Sequence, residues 1–411
     1  MKANESIPNF KPKLREYTNF AVRETKNICK QFGPRPTGEE GEKKAQEYMA
    51  EKLRECTDSV KIEPFEVHPH AFMAWVVFDG IALIAAVLAY NLLPSPASSI
   101  VSLVLTALSL IILVGEFLLY KKFWDFLFKK RTSGNVVAIR NPEQELKKRI
   151  ILSAHTDSAY EWTYTYKGGS KLLLTVMIYA IVGLLYIAVS SVIGLAADEG
   201  SLTQILGYIQ FAFVPGFIAV LFFTNFKHPV TGANDNLTGC LAVMAVMKYL
   251  SDNNIRFKDT EVRAVLTGGE EAGLRGAKAY AEAHLEECKA VETVFVGLDT
   301  LRDFEFMAIY DRDLSGTVRH DAKARALLKK ASEIAGHDLP FSSVYLGASD
   351  AAAITQAKIP AVALAAMDPS PADYYHTRRD TEDILEPKTI EAALEITLET
   401  VFLFDEQGLA Q

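Results

Sequence analysis

The sequence predicts an α/β protein, a mostly parallel mixed sheet sandwiched by helices, with four transmembrane helices added as two hairpins. Three observations predict it. Strand-length apolar runs alternate with helix-length stretches, the pattern of a mostly parallel sheet covered on both faces. Four long stretches carry almost no charge and are long enough to cross a bilayer. The polar residues gather just after the strand runs, where such sheets carry their function. The 411 residues are 49% hydrophobic and 23% charged, which excludes both a disordered chain and a purely membrane-embedded bundle.

The elements follow in order. Lys43–Arg54 is an amphipathic helix and Val60–Val67 a strand. The first span, Ala71–Leu93, contains one charge, Asp79; the second, Ser98–Tyr120, contains one, Glu116. Asn135–Arg140 and Arg149–Ala154 are strands, the latter a mostly apolar run suited to a sheet centre. The third and fourth spans, Leu172–Ala197 and Leu202–Thr224, carry no charge. Helices then follow at Leu237–Leu250, Ala272–His284, Ala322–Ala335, Ala351–Ala357 and Glu391–Phe404, with strands at Glu261–Leu266, Thr293–Leu298 and Ala361–Met367. The predicted organisation is one water-facing domain in three parts, residues 1–70, 121–171 and 225–411, interrupted by hairpins at 71–120 and 172–224.

Charge sets the expected orientation. The short connectors Pro94–Ala97 and Asp198–Ser201 contain no Lys or Arg, whereas Lys121, Lys122, Lys129, Lys130, Arg131, Lys167, Lys171 and Lys227 flank the opposite ends. Basic flanks stay in the cytoplasm, so the connectors should face out and the water-facing domain and both termini should lie inside, in a multi-pass protein of the cell membrane. Asp79 and Glu116 fall in the inner part of the bilayer and are expected to reach the interface, the alternative being a polar patch between helices or for substrate. The net charge of −8 argues against a nucleic-acid partner. The four cysteines form no C-x-x-C pair, against a disulfide framework or a cysteine zinc site. The first residues lack the apolar core of a signal peptide.

Five stretches carry the chemistry. His155 leaves a strand with Asp157 two residues on, a pair able to present an imidazole to a metal with its other ring nitrogen held; a plain polar loop would look the same. Asp235, in Thr231–Asn236, is either a helix cap or a carboxylate shared between two metal ions. The adjacent carboxylates Glu270 and Glu271 follow a strand at a Gly-rich turn; they repel unless a cation is near, and one can ligate while the other moves a proton. A negatively charged helix start is the bland alternative. Asp299 follows the Thr293–Leu298 strand, and His376 lies beyond the last one. Taken together, two His and several carboxylates near strand ends suit a pair of zinc ions.

The ordered motifs AHTDS, GANDNLTG, GGEEAGLRGAKAY, GLD, GASD and YYHT-x-x-DT, with the opening FGPRPTGEEGEKKAQEYMAEKL, resemble the di-zinc aminopeptidases of metallopeptidase family 28. The resemblance covers about residues 20–70, 133–160 and 228–405, and both hairpins depart from it. It implies a zinc-exopeptidase-like fold and a metalloprotease that hydrolyses N-terminal residues from peptides with two zinc ions as cofactors, to which the two hairpins would add membrane anchoring. His155 and Asp299 would hold one ion, Glu271 and His376 the other, and Asp235 would bridge them. Glu270 would be the general base, Asp157 the outer partner of His155, and Tyr375 the oxyanion support, with Tyr374 a neighbouring rival. Asp350 in GASD would be a structural or outer group. A single-zinc glutaminyl-cyclase-like enzyme, a carboxypeptidase and an inactive membrane receptor or scaffold are the other readings; no G-x-S-x-G supports a serine hydrolase. Because the second hairpin is inserted between His155 and Asp235, two readings stand side by side: either the segment Tyr160–Ser170, with Trp162, Tyr164 and Tyr166, walls the site and the peptide substrates are apolar, or the hairpins only anchor the enzyme in the lipid bilayer. No motif speaks to the oligomeric state.

Overall fold

The computed structural model describes residues 2–197, 200–344, 347–370 and 372–409. Asp198 and Glu199, which make the second connector acidic, lie outside the described residues. The chain divides into two compact units: Met1–Pro69, Lys129–Ala159 and Pro229–Gln411 form one, and His70–Phe128 with Tyr160–His228 form the other.

The strands, in chain order, are β1 (Ser59–Val67), β2 (Arg131–Arg140), β3 (Lys148–His155), β4 (Tyr160–Trp162), β5 (Thr224–Pro229), β6 (Thr260–Thr267), β7 (Glu292–Leu301), β8 (Met307–Asp313), β9 (Val318–Arg319), β10 (Phe341–Ser343) and β11 (Ala361–Ala366). The first unit is built on a nine-stranded sheet of order β1-β2-β6-β3-β7-β11-β8-β10, with β9 on β8. Its centre, β6-β3-β7-β11, is parallel. The strands β1 and β2 on one side and β8 on the other join it antiparallel. The sheet is therefore parallel where it is most buried and mixed at its margins. Ile150, Ile151 and Leu152 of β3 are fully buried, as expected of a strand covered on both faces.

Register decides where function can sit. His155 pairs with Thr267, and Asp299 with Ala365, so the C-terminal ends of β3, β6, β7 and β11 finish side by side. Helices Phe10–Phe32, Thr238–Asp252 and Pro387–Gln407 pack on one another, the last two also on the central strands, while Arg275–Ala290 packs with Asp350–Gln356. The long amino-terminal helix and β8 were absent from the sequence reading. The apolar residues of Phe10–Phe32 are diluted by charge, and β8 is split between apolar Met307–Ile309 and polar Asp311–Asp313.

The second unit holds four helical stretches long and apolar enough to cross a membrane: Ala74–Leu92, Ala97–Leu118, Thr163–Ala196 and Ser201–Val220. Their bounds depart from the expected ones for local reasons. The third begins early, at Thr163, but breaks at Gly168 and Gly169, where φ of +64° at Gly169 is open to glycine at little cost. The fourth is interrupted at Phe211–Phe213 before restarting at Val214–Val220. Pro215 lacks an N–H and its ring crowds the carbonyl four residues back. It stops at Val220, because Thr224 already belongs to β5, which pairs with β4 in a two-stranded ribbon. Asp79 and Glu116 do not reach outward as expected. Both are buried within this unit, at 4% and 0% exposure.

Candidate metal centre

The four loops beyond β3, β6, β7 and β11, together with the turn before helix Thr238–Asp252, converge. The Asp235 carboxylate lies at the middle: Oδ1 is 3.0 Å from His155 Nε2 and Oδ2 is 3.2 Å from His376 Nε2. His376 Nε2 is also 3.2 Å from Glu271 Oε1. Ligand atoms of His155, Asp235 and Asp299 lie within 4.8 Å of one another, as do those of Asp235, Glu271 and His376, and those of His155, Glu270 and Glu271. The residues singled out as metal ligands and proton carrier are thus brought together, and Asp235 is common to two of the three groups.

The donor chemistry fits divalent cations. Asp235 Oδ2 and Glu271 Oε1 are buried and share one close partner, His376 Nε2, which lies 3.2 Å from each. Four carboxyls face two imidazoles, an acidic excess that only protons or cations can neutralise. Burial pushes Glu270 well above the carboxylate range, with Glu271, Asp350 and Asp299 adding to it and His155 opposing. Burial takes Asp299 up to about 7 and raises Glu271. Burial would raise Asp235 as well, but hydrogen bonds and charge from His155 and His376 hold it below the usual range. Burial pulls both histidines down and is outweighed. Glu270, Asp157 and Asp235 lift His155 well above its ordinary value, and Glu271 and Asp235 push His376 up to about 10. A cluster that holds protons this firmly is one whose protons a cation displaces on binding.

Asp157 does more than sit behind the His155 ring. The ring Nδ1 is nearer to the Asp157 carbonyl oxygen, 3.2 Å, than to its carboxylate, 3.6 Å. The carboxylate instead accepts the backbone N–H of Glu270 and of Glu271, each at 3.1 Å, and the Thr37 hydroxyl at 2.6 Å. Two further buried carboxylates, missed in the sequence, work the same way. Glu42 accepts from Gly38 N, Gly269 N and Ser133 Oγ. Asp380 accepts from Asn234 N at 2.8 Å and Asp235 N at 3.0 Å. Arg35, fully buried, donates to the carbonyls of Thr156, Thr231 and Gly232, tying the turn after β3 to the turn that carries Asp235. Each acid-bearing turn is thus held by its backbone from a neighbouring segment. The only sequence signals for these residues were charges inside the quoted motifs: Arg35 in FGPRPTG, and Asp380 closing YYHT-x-x-DT.

The two tyrosines part company. Tyr374 is buried and its hydroxyl donates to Asp303 Oδ2 at 2.8 Å. Tyr375 stacks on His376, centroids 4.0 Å apart, and lines the cavity. Asp350 accepts from the Thr267 hydroxyl beneath the site. The cavity, about 30 Å³, has room for one or two waters and is walled by Thr300, Tyr310, Val344, Ala348, Ala365 and Met367 besides the donors. Among the described residues its lining comes from the sheet unit. The expected wall Tyr160–Ser170 belongs to the helical unit, where Trp162 packs on Phe223 at 5.2 Å and the Tyr164 hydroxyl donates to Ala219 O at 2.6 Å. Those rings are occupied within their own unit.

Fold and donor set define a class: an α/β protein with a carboxylate–imidazole cage at its strand ends, suited to divalent cations. Residues 217–401 match the family model described as peptidase family M28, which supports a hydrolase. Among solved structures it is similar to a zinc aminopeptidase from Bacillus subtilis, with TM-score 0.57 and 16% identity over 94% of each chain. An aminopeptidase from Aneurinibacillus sp. strain AM-1 gives TM-score 0.55 and 16% identity over 95% of each chain. A glutaminyl cyclase from Fimbriiglobus ruber gives TM-score 0.56 and 15% identity, covering 94% of this chain and 95% of that one. No curated protein sequence matches.

Proposed function

We propose that the chain is a membrane-anchored di-zinc exopeptidase that removes amino-terminal residues from peptides. The observation that carries this reading is the Asp235 carboxylate, whose two oxygens face two different histidines, each with a further carboxylate beside it. In this reading His155 and Asp299 hold one zinc, Glu271 and His376 the other, and Asp235 both. The ions would supply Lewis acidity and acidify water. The protein's part is proton handling and placement. Glu270, buried and raised, takes a proton from the attacking water and returns it to the leaving amine. Asp157 fixes the turn that aims Glu270, and Tyr375 stands over the cavity as the oxyanion donor.

Membrane anchoring rests on the four long apolar helices, and the cytoplasmic placement of the peptidase unit rests on their basic flanks. Apolar peptides are the substrates this anchoring favours. The similarity to glutaminyl cyclases supports a second reading with one zinc. Metal analysis of purified protein, with a peptide library read from both ends and an amino-terminal glutamine peptide, decides among them. Two zinc per chain with loss of amino-terminal residues supports the proposal; one zinc with cyclisation overturns it. Glu270→Gln should keep its zinc and lose hydrolysis by about 10²–10⁴-fold.

A further inference from the structure

The hairpin of β8 and β9 turns against the preference of its own backbone. After Asp313 the chain passes through Leu314, Ser315 and Gly316 with φ of +52°, +50° and +81°, so two residues with side chains stand in the left-handed region that favours glycine. Such a turn persists only where its surroundings fix it, and turns of this kind gather at the working parts of proteins. Here the fixing comes from Asp313 and from Gly347–Ser349. Ser315 N donates to Gly347 O at 2.8 Å. The Asp313 carboxylate, fully buried, gathers four donors. Leu314 N at 2.6 Å and Ser349 N at 2.9 Å meet Oδ1, while Ser349 Oγ at 2.5 Å and His320 Nε2 at 3.2 Å meet Oδ2.

Ser349 precedes helix Asp350–Gln356, a position from which a serine ordinarily caps the first backbone N–H groups. It makes no such bond, and its hydroxyl goes to Asp313 instead. At the far end of the same helix, Thr355 Oγ1 lies 2.8 Å from Nδ1 of the His320 ring whose Nε2 meets Asp313. The hairpin therefore grips this helix at both ends. Just before the helix, Val344 and Ala348 line the cavity of the candidate metal centre, together with Tyr310 of β8. Val344 N donates to Arg312 O at 3.1 Å, so these wall residues are tied to β8 from both sides, at Val344 and at Ser349. Asp313, His320 and Ser349 themselves stand outside the cavity lining and outside the groups of candidate metal donors. Four donors directed at one carboxylate behind the wall serve placement, not proton transfer.

We propose that Asp313 is a positioning residue: through Ser349 it holds Val344 and Ala348 as the wall against which the peptide substrate seats. The inference rests on the aminopeptidase reading. A wall touches the substrate before and during reaction alike, so loosening it raises KM and leaves kcat. The test uses the full chain with zinc in lipid nanodiscs and the leucine, lysine and glutamate 4-nitroanilides, the fastest of the three serving throughout. Ser349→Ala should raise KM about ten-fold, with kcat and zinc content within about two-fold of the parent. Ser349→Thr keeps the hydroxyl and should stay within about three-fold of the parent KM. Asp313→Asn should move KM further in the same direction, and the milder Ser349→Ala decides if that variant does not fold. Amide hydrogen exchange, read without substrate, should rise at residues 347–349 in Ser349→Ala and stay unchanged at 232–239. A lowered kcat at unchanged KM, a loss of zinc, or an unchanged KM despite faster exchange overturns the positioning role. A parent chain that hydrolyses none of the three anilides overturns the aminopeptidase reading and this inference with it.

Discussion

Helix Thr238–Asp252 of the sheet unit and helix Ala97–Ile112 of the helical unit are similar in length and opposite in what they hide. The first buries Leu241, Val243, Met244, Val246 and Met247. The second buries four serines and a threonine with a single isoleucine, and exposes Ile100, Val101, Val104, Leu108, Leu110 and Ile111. In water, apolar area is driven inward at roughly 25 cal/mol per Å². Against lipid tails that gradient vanishes, and small residues and hydroxyls become the better interior because they let backbones approach and bond across. The sheet unit accommodates the buried charge of its metal centre by surrounding it with carboxylates, imidazoles and backbone N–H groups.

The comparison can be broken in several ways, beginning with the largest expected effect. Removing metal with a chelator should raise amide hydrogen exchange across residues 232–239 and 268–276 by orders of magnitude while leaving 97–112 unchanged. Unchanged exchange at the Asp235 and Glu270 turns would remove the cation-cage reading. Asp380→Asn takes away the acceptor for two backbone N–H groups of the Asp235 turn and should weaken zinc binding about 10–100-fold, read by competition with a chromogenic chelator. Leu241→Ala should cost about 2–5 kcal/mol in denaturant titrations of the sheet unit. Ser102→Ala, which loses one interhelical hydroxyl bond, should cost only about 0.6 kcal/mol when unfolding is followed in lipid. Equal costs would mean that the two interiors obey one rule.

The smallest effect is a pH dependence outside the metal centre. His284 bonds Glu63 Oε2 at 2.7 Å and also Glu287, and these carboxylates raise its pKa against the opposing effect of burial. Its folded pKa lies above its unfolded one, so its contribution is complete below about 6.5 and fades as pH rises through the folded value. His284→Gln should therefore cost about 0.5 kcal/mol at pH 6 and close to nothing at pH 9. A cost that stays constant with pH would make the residue a packing element alone.

Legibility followed the same division. The sheet strands were readable where apolar runs were unbroken, as at Arg149–Ala154, and unreadable where they were half polar, as in β8. The ligand residues were readable because each ends a strand or opens a turn. Their supports were not: Arg35, Glu42 and Asp380 bond to backbone atoms far along the chain, and a backbone group leaves no mark in sequence. Helix Thr163–Ala196 began earlier than its apolar run because Thr163–Tyr166 continues the helix before the Gly168–Gly169 break.

The order of motifs, the four greasy stretches and the identity of the charged residues are local properties, and the amino-acid sequence determined them unaided through periodicity and composition. Only the tertiary structure decided that Asp235 stands between two histidines, that Asp157 holds the Glu270 turn more than the His155 ring, and that Asp79 lies inside its unit. Those outcomes depend on strand register and on which atoms burial brings within about 3 Å, and both are set by packing between segments far apart in the chain.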